Sequence, residues 1–273
     1  MPELPEIEVL KRSLEPRLTG RRVLEVQVHA PALRERLDRR ALSALAGRRI
    51  ERLGRRSKYL LVEVEGGRTL VIHLGMSGRL TLAPEGAARE AHEHLSFRLD
   101  AGERLRLRDP RRFGLAFVAP TSGLERDRHF LHLGAEPLAP ALTGAQLGGL
   151  AVGRRGPVKS FLMDGRLLVG VGNIYATEAL HRAGIHPARS VARIGAERWE
   201  RLAGAVVFVL GRAIEEGGTT LNDFADGAGR EGEYQESLAV YGRAGEPCPA
   251  CGAAVRRIVQ GGRSSFYCPR CQR

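Results

Sequence analysis

Cys248-Pro249-Ala250-Cys251 and Cys268-Pro269-Arg270-Cys271 form two C-x2-C pairs with 16 residues between them, close to the end of a 273-residue chain. The spacing is that of a tetrahedral four-cysteine zinc ribbon. Two disulfides are the alternative, but no cationic lead and apolar run at the N-terminus marks the chain as secreted. One structural zinc is therefore expected. Between the pairs, Val255 to Val259 and Ser265 to Tyr267 read as two strands joined through Gln260-Gly261-Gly262-Arg263-Ser264, which would lift Arg263 at the hairpin tip. So small a ribbon needs its metal to fold.

Upstream of the ribbon the pattern is helical. Leu202, Val206, Leu210 and Ile214 make one stripe of a helix from about Ala196 to Glu216, closed by Gly217-Gly218. An earlier helix follows the Gly-rich turn Leu168 to Ile174, with Asn173 as its N-cap, Ala183 near its end and Gly184 as its stop. Its N-terminus would offer free N–H groups to a phosphate. Thr219 to Ser237 is polar and aperiodic, so a long binding loop or lid is expected there. Residues 119–150 are rich in Pro and Gly, including the Gly148-Gly149 pair, and a domain boundary is placed near Pro137.

Before that boundary the texture changes to short strands. Val23 to Val28, Leu60 to Val64, Leu70 to Leu74, Leu95 to Leu99 and Leu115 to Val118 are apolar or alternating runs between Gly, Pro and charges, which suggests a β-sandwich or barrel. Two loops stand out: His73-Leu74-Gly75-Met76-Ser77-Gly78 and Asp109-Pro110-Arg111-Arg112-Phe113-Gly114. Each could supply apolar or planar groups to fill the gap left by an extruded base. Ala91-His92-Glu93-His94 alternates at strand spacing, so both histidines should share a face and serve a phosphate rather than a metal.

The charge of +12 fits a polyanion partner, most simply nucleic acid. Of the 43 basic residues only Lys11, Lys58 and Lys159 are lysines, and a lysine kept in an arginine background points to amine chemistry at Lys58 and Lys159. The longest apolar run, Leu202 to Leu210, is far short of the roughly 20 residues that span a bilayer. The first residues, Met1-Pro2-Glu3-Leu4-Pro5-Glu6, lead into a helix marked by Ile7, Leu10, Leu14 and Leu18, with Pro16 kinking or ending it before Gly20. If Met1 is removed, Pro2 becomes a secondary amine beside two carboxylates. With an α-amino pKa of about 7.7 to 8.0 it is a usable nucleophile near neutral pH. The simpler reading is a stiff, acidic helix leader.

Taken together, MPELPE at the start, RRSKYLL at 55–61, HLGMSG at 73–78, DPRRFG at 109–114, VGVGNIYA at 169–176, GGTTL at 217–221 and the ribbon resemble the bacterial formamidopyrimidine-DNA glycosylases. The resemblance spans the whole chain. It implies an α+β fold with an N-terminal β-sandwich and leading helix over 2–136, a helical region with a helix–two-turn–helix element over 137–242, and the zinc ribbon over 243–273. It implies excision of 8-oxoguanine and ring-opened purines from double-stranded DNA, then strand cleavage at the abasic site by β,δ-elimination. Pro2 would attack C1′, Glu3 would donate the proton that releases the base, and Glu6 would support their pocket. Lys58 would serve β-elimination and Arg263 δ-elimination. Met76, Arg111 and Phe113 would fill the gap, while His73, His92, Arg154 or Arg155, Lys159 and Asn173 would hold phosphates or the lesion pocket. Thr219, Thr220 and Tyr241 would belong to the lesion-closing apparatus.

Such an enzyme would act as a monomer in the cytoplasm, at the nucleoid, with no membrane partner. An endonuclease VIII type enzyme for oxidised pyrimidines is the nearest rival, although it usually begins MPEGPE. A zinc-ribbon DNA-binding protein without catalysis would explain the charge and cysteines but leave Pro2, Glu3 and Lys58 without a purpose.

Overall fold

A computed structural model describes residues 2–220 and 226–273. The chain divides into two compact units, Met1–Leu131 with Glu216–Gln235, and His132–Glu215 with Glu236–Arg273. The segment after Glu215 thus groups with the N-terminal half, whereas the sequence reading placed it with the helices. The first division falls at Leu131 rather than near Pro137.

In the first unit, α1 (Leu4–Leu18) is followed by β1 (Val23–Val28), the short α2 (Arg39–Ser43), β2 (Ile50–Arg56), β3 (Tyr59–Val64), β4 (Arg68–His73), β5 (Arg79–Pro84), β6 (Glu93–Leu99), β7 (Glu103–Arg108) and β8 (Leu115–Pro120). The strands form two four-stranded sheets, ordered β1-β6-β7-β5 and β2-β3-β4-β8, with every neighbour antiparallel. The sandwich core takes Leu60, Val62, Leu70 and Ile72 from one sheet and Leu80, Phe97, Leu105 and Leu107 from the other. Ile7, Leu10, Leu14 and Leu18 of α1 join that same core, so helical periodicity fixes the N-terminus to the sandwich. Pro16 does not end α1. It sits in the last turn, where the helix has little left to lose.

The second unit holds α3 (Gly144–Ala151), α4 (Val158–Leu162), α5 (Asn173–Ala183), α6 (Ala196–Glu215) and the hairpin β9 (Arg256–Gln260) and β10 (Arg263–Tyr267). The Gly148-Gly149 pair lies inside α3 instead of breaking it. Thr143 and Gln146 form a capping box that starts this helix. The glycines in it admit α6: a Cβ at Gly144 would come within 2.5 Å of Glu200 backbone, and one at Gly148 within 3.4 Å of the Trp199 ring. At α5 the N-cap is Gly172 and Asn173 is the first helical residue, while Gly184 caps the end at φ 69° as expected. In the hairpin only Gly261 and Gly262 turn the chain, at φ 54° and 73°, and Arg263 pairs with Gln260 at the head of β10. The turn is therefore tighter than the five-residue connection read from sequence. No described helix is long and apolar enough to cross a membrane.

Candidate active site

The first turn of α1 gathers the N-terminal candidates. Glu3 is the N-cap in extended conformation, and Glu3 and Glu6 form a reciprocal capping box. Glu6 Oε2 accepts the Glu3 N–H at 2.6 Å, and its Oε1 accepts the Thr219 N–H at 2.9 Å. Pro2 is buried, and Glu3 and Glu6 are only 3% and 2% exposed. Glu6 thus uses both oxygens to hold the Glu3 backbone and the Thr219 segment together, while the Glu3 side chain, next to Pro2 in the chain, accepts the Glu6 N–H. The expected removal of Met1 concerns a residue outside the described ones.

The described parts of Thr219 to Ser237 are held by more hydrogen bonds than the composition suggested. Thr220 N–H donates to Gln235 Oε1 and Gly232 N–H to Thr220 Oγ1, both at 2.9 Å, so the two stems of the loop close on each other. Asp226 Oδ1 accepts the N–H groups of Ala228 and Arg230, and Gly227 N–H reaches Ser13 Oγ on α1 at 2.9 Å. Residues 221–225 of the expected lesion loop lie outside the described ones.

Lys58 sits in the two-residue turn between β2 and β3, where Arg56 pairs with Tyr59 and Ser57 takes φ 56°. Arg55 ties that turn to α1: its Nε donates to Glu8 Oε2 at 3.1 Å and its Nη1 to the Ser57 carbonyl at 2.9 Å. Burial works against the Glu8 carboxylate, but Arg12, Lys11 and Arg55 outweigh it and hold its pKa below the usual value. Sequence reasoning missed this brace, although Arg55 opens the RRSKYLL run. Nearby His73 is pushed down to about 3 by burial and by the charges of Arg34 and Lys58, so at neutral pH it is an uncharged imidazole. Its Nδ1 accepts the Gly75 N–H at 3.0 Å, leaving Nε2 as the donor.

Met76 and Phe113 are 41% and 48% exposed, unusual for large apolar side chains, and Arg111 is exposed with its guanidinium carbon 5.6 Å from the Phe113 ring. Their loops are locked from beneath. Asp109, fully buried, accepts Ser77 Oγ–H at 2.6 Å and Gly114 N–H at 2.7 Å, and Ser77 Oγ accepts the Arg111 N–H at 3.2 Å. A Cβ at Gly75 would lie 2.4 Å from the Phe113 carbonyl carbon, so the loops touch backbone to backbone. Ser77 and Asp109, overlooked in the sequence, are the supports of the three exposed side chains. His92 and His94 do not form a pair on one face. His92 is exposed at φ 65° before β6, whereas His94 is buried with Nε2 2.9 Å from the Asp109 carbonyl. A register shift between Glu93 and Leu95 breaks the alternation the sequence implied.

In the second unit, Asn173 Nδ2 lies 3.3 Å from Tyr241 Oη, and its Oδ1 is buried with no partner among the described residues. Glu178, in the second turn of α5, accepts the N–H groups of Ala239, Val240 and Tyr241 at 2.8 to 3.0 Å and so fixes the Tyr241 backbone. Burial raises the Glu178 pKa against those three bonds. Lys159, read as a phosphate contact, is 2% exposed, and its Nζ donates to the Ser264 carbonyl at 2.9 Å and to Ser265 Oγ at 2.7 Å. It therefore grips the strand that begins with the exposed Arg263. Arg154 and Arg155 are both exposed, and Arg154 Nε folds back on the Leu150 carbonyl.

The four cysteine Sγ atoms lie within 4.8 Å of one another, with Cys251–Cys268 at 3.4 Å and Cys248–Cys271 at 4.0 Å. A tetrahedral zinc with Zn–S bonds of about 2.3 Å sets its sulfurs about 3.8 Å apart, so the set fits zinc. The thiols shift one another's ionisation in opposite directions: Cys251, burial and the other two sulfurs push Cys271 up to about 12. Cys268 is drawn down to about 7 despite burial, by the Cys271 and Arg270 N–H groups and neighbouring thiols. A divalent cation is what allows all four to become thiolates.

Three family models match in this order: the formamidopyrimidine-DNA glycosylase N-terminal domain over residues 1–116, the formamidopyrimidine-DNA glycosylase H2TH domain over 133–225, and a zinc finger found in FPG and IleRS over 245–273. The formamidopyrimidine-DNA glycosylase of Magnetococcus marinus is 46% identical over 275 residues, with all of both chains covered. The Lactococcus lactis Fpg in complex with abasic-site DNA matches with TM-score 0.91 and 31% identity over 99% of each chain. The wild-type Lactococcus lactis Fpg with N7-benzyl-Fapy-dG DNA matches with TM-score 0.90 and 32% identity over 100% of each chain.

Proposed function

The chain belongs to the formamidopyrimidine-DNA glycosylase family, and on that premise we propose that it excises oxidised purines from duplex DNA and then cuts the strand at the abasic site. The observation that carries the catalytic assignment is the Glu6 carboxylate, which holds the Glu3 and Thr219 N–H groups and so sets Glu3 beside Pro2.

The free Pro2 nitrogen attacks C1′ as the glycosidic C–N bond breaks, and Glu3 supplies the proton the leaving base needs. Opening of the sugar gives an iminium on Pro2. Because an iminium formed from a secondary amine has no N–H to shed, it stays cationic and acidifies the C2′ hydrogen. Loss of that proton expels the 3′ phosphate with help from Lys58. A second elimination, assisted by Arg263, expels the 5′ phosphate, and water then frees Pro2. Met76 and Phe113 fill the emptied stack, Arg111 addresses the orphaned base, and His73, His92, Arg154 or Arg155 and Asn173 take phosphates. Lys159 serves through its hold on the Ser264–Ser265 backbone. The zinc is structural: it closes the ribbon that carries Arg263. The enzyme works as a monomer in the cytoplasm, on nucleoid DNA.

The test is borohydride trapping on duplexes holding 8-oxoguanine opposite cytosine or an oxidised pyrimidine. The expected result is a covalent complex that forms faster on the purine lesion. Preferential trapping on the pyrimidine would favour an endonuclease VIII type activity, and no trapping on either would leave a DNA-binding protein without catalysis.

A further inference from the structure

Among the described residues, a polar side chain from outside the ribbon reaches the sulfur cluster. His181, in the last turn of α5, places Nε2 3.4 Å from Cys248 Sγ. We propose that His181 is an outer-sphere ligand of the zinc site, donating its Nε2–H to the Cys248 thiolate and slowing loss of the metal. This rests on zinc occupying the four cysteines.

A zinc-bound thiolate has no proton, so a ring nitrogen in contact with it must bring one, which selects the Nε2–H tautomer of His181. The half-buried position of His181 keeps water from competing for that bond. Backbone donors serve both knuckles, the Ala250 and Cys251 N–H groups at Cys248 and, at Cys268, the Cys271 N–H at 3.4 Å. At Cys248 the helix adds a side-chain donor.

The contact is not what docks the ribbon on α5. Gln272 Nε2 donates to the Ile185 carbonyl at 2.9 Å, Arg273 N–H donates to the Gly184 carbonyl at 3.1 Å, and His186 stacks edge-on against Tyr267 at 4.4 Å. Removing the His181 imidazole leaves all three in place. An effect on the metal can therefore be told from an effect on docking.

The experiment compares full-length, zinc-loaded wild type with His181→Phe and His181→Gln. Zinc content is measured first: less than one zinc per wild-type chain would remove the premise itself. Release of zinc to a chromogenic chelator is then timed, and the thiolate-to-cobalt absorption of the cobalt(II)-substituted proteins is recorded. Loss of an outer-shell partner typically costs about 10- to 100-fold in metal affinity, so His181→Phe should release zinc about tenfold faster or more, with a shifted cobalt band. His181→Gln, which keeps an N–H donor, should recover most of both. Wild-type release and an unshifted band in His181→Phe would overturn the proposal. Equal acceleration in both variants would also overturn it, since packing rather than the hydrogen bond would then be at work.

Discussion

Glu3→Gln is expected to slow release of 8-oxoguanine by about 10²- to 10⁴-fold, the usual worth of a positioned proton donor. It should leave borohydride trapping on a preformed abasic site largely intact. The separation follows from the geometry: the Glu3 N–H to Glu6 bond does not involve the Glu3 side chain, and a glutamine keeps an oxygen that can accept the Glu6 N–H of the capping box. What the fold loses is one carboxylate charge at a helix N-terminus, about 0.3 to 1 kcal/mol, too little to unfold a domain. Single-turnover base release, read beside trapping on abasic DNA, checks this. Equal loss of both would assign Glu3 to the support of the turn and not to proton transfer.

Stripping the zinc should have a large effect by a different route. The ribbon's own core is small: Val240, Cys248, Val255 and Cys268 are buried, with Ala253 and Phe266 packed against them. A fully buried apolar side chain contributes about 1.5 to 3 kcal/mol, while ordering each residue's backbone costs about 1 to 2 kcal/mol. Structural zinc contributes about 10 to 16 kcal/mol in small zinc domains, so the metal decides whether the ribbon folds. On chelation, amides of β9 and β10 should lose protection from hydrogen exchange, and Lys159 should lose its partners Ser264 and Ser265. Amides of β3 and β4, in the sandwich, should keep theirs. Unchanged protection in the metal-free ribbon would contradict this.

Much of the arrangement was legible in the sequence because it depends on local chemistry. The cysteine spacing names its metal, Gly184 ends α5 by taking a positive φ, and the period of Ile7, Leu10, Leu14 and Leu18 reappears as the buried stripe of α1. The readings that failed depend on distant neighbours. The glycines of α3 look like breakers until Trp199 and Glu200 are seen packed against them. Strand β7, Glu-Arg-Leu-Arg-Leu-Arg, hides among charges because its arginines reach carbonyls and carboxylates, as Arg106 does at Ala87 and Ala88. His92 and His94 part company at a bulge, and Lys159 turns inward to a hairpin 105 residues away. At the site, the reactive candidates were readable from residue type. Their supports Arg55, Ser77, Asp109 and Glu178 were not, because a buried polar brace carries no sequence period.

The central claim is that the α-amine of Pro2 is the nucleophile, and the most direct measurement locates the bond it makes. The protein would be trapped with borohydride on an 8-oxoguanine duplex, digested, and the DNA-bearing peptide sequenced by mass spectrometry. The expected product is a peptide that begins at Pro2, lacks Met1 and carries the sugar remnant on its terminal nitrogen. An adduct on Lys58, or on a peptide that retains Met1, would contradict it.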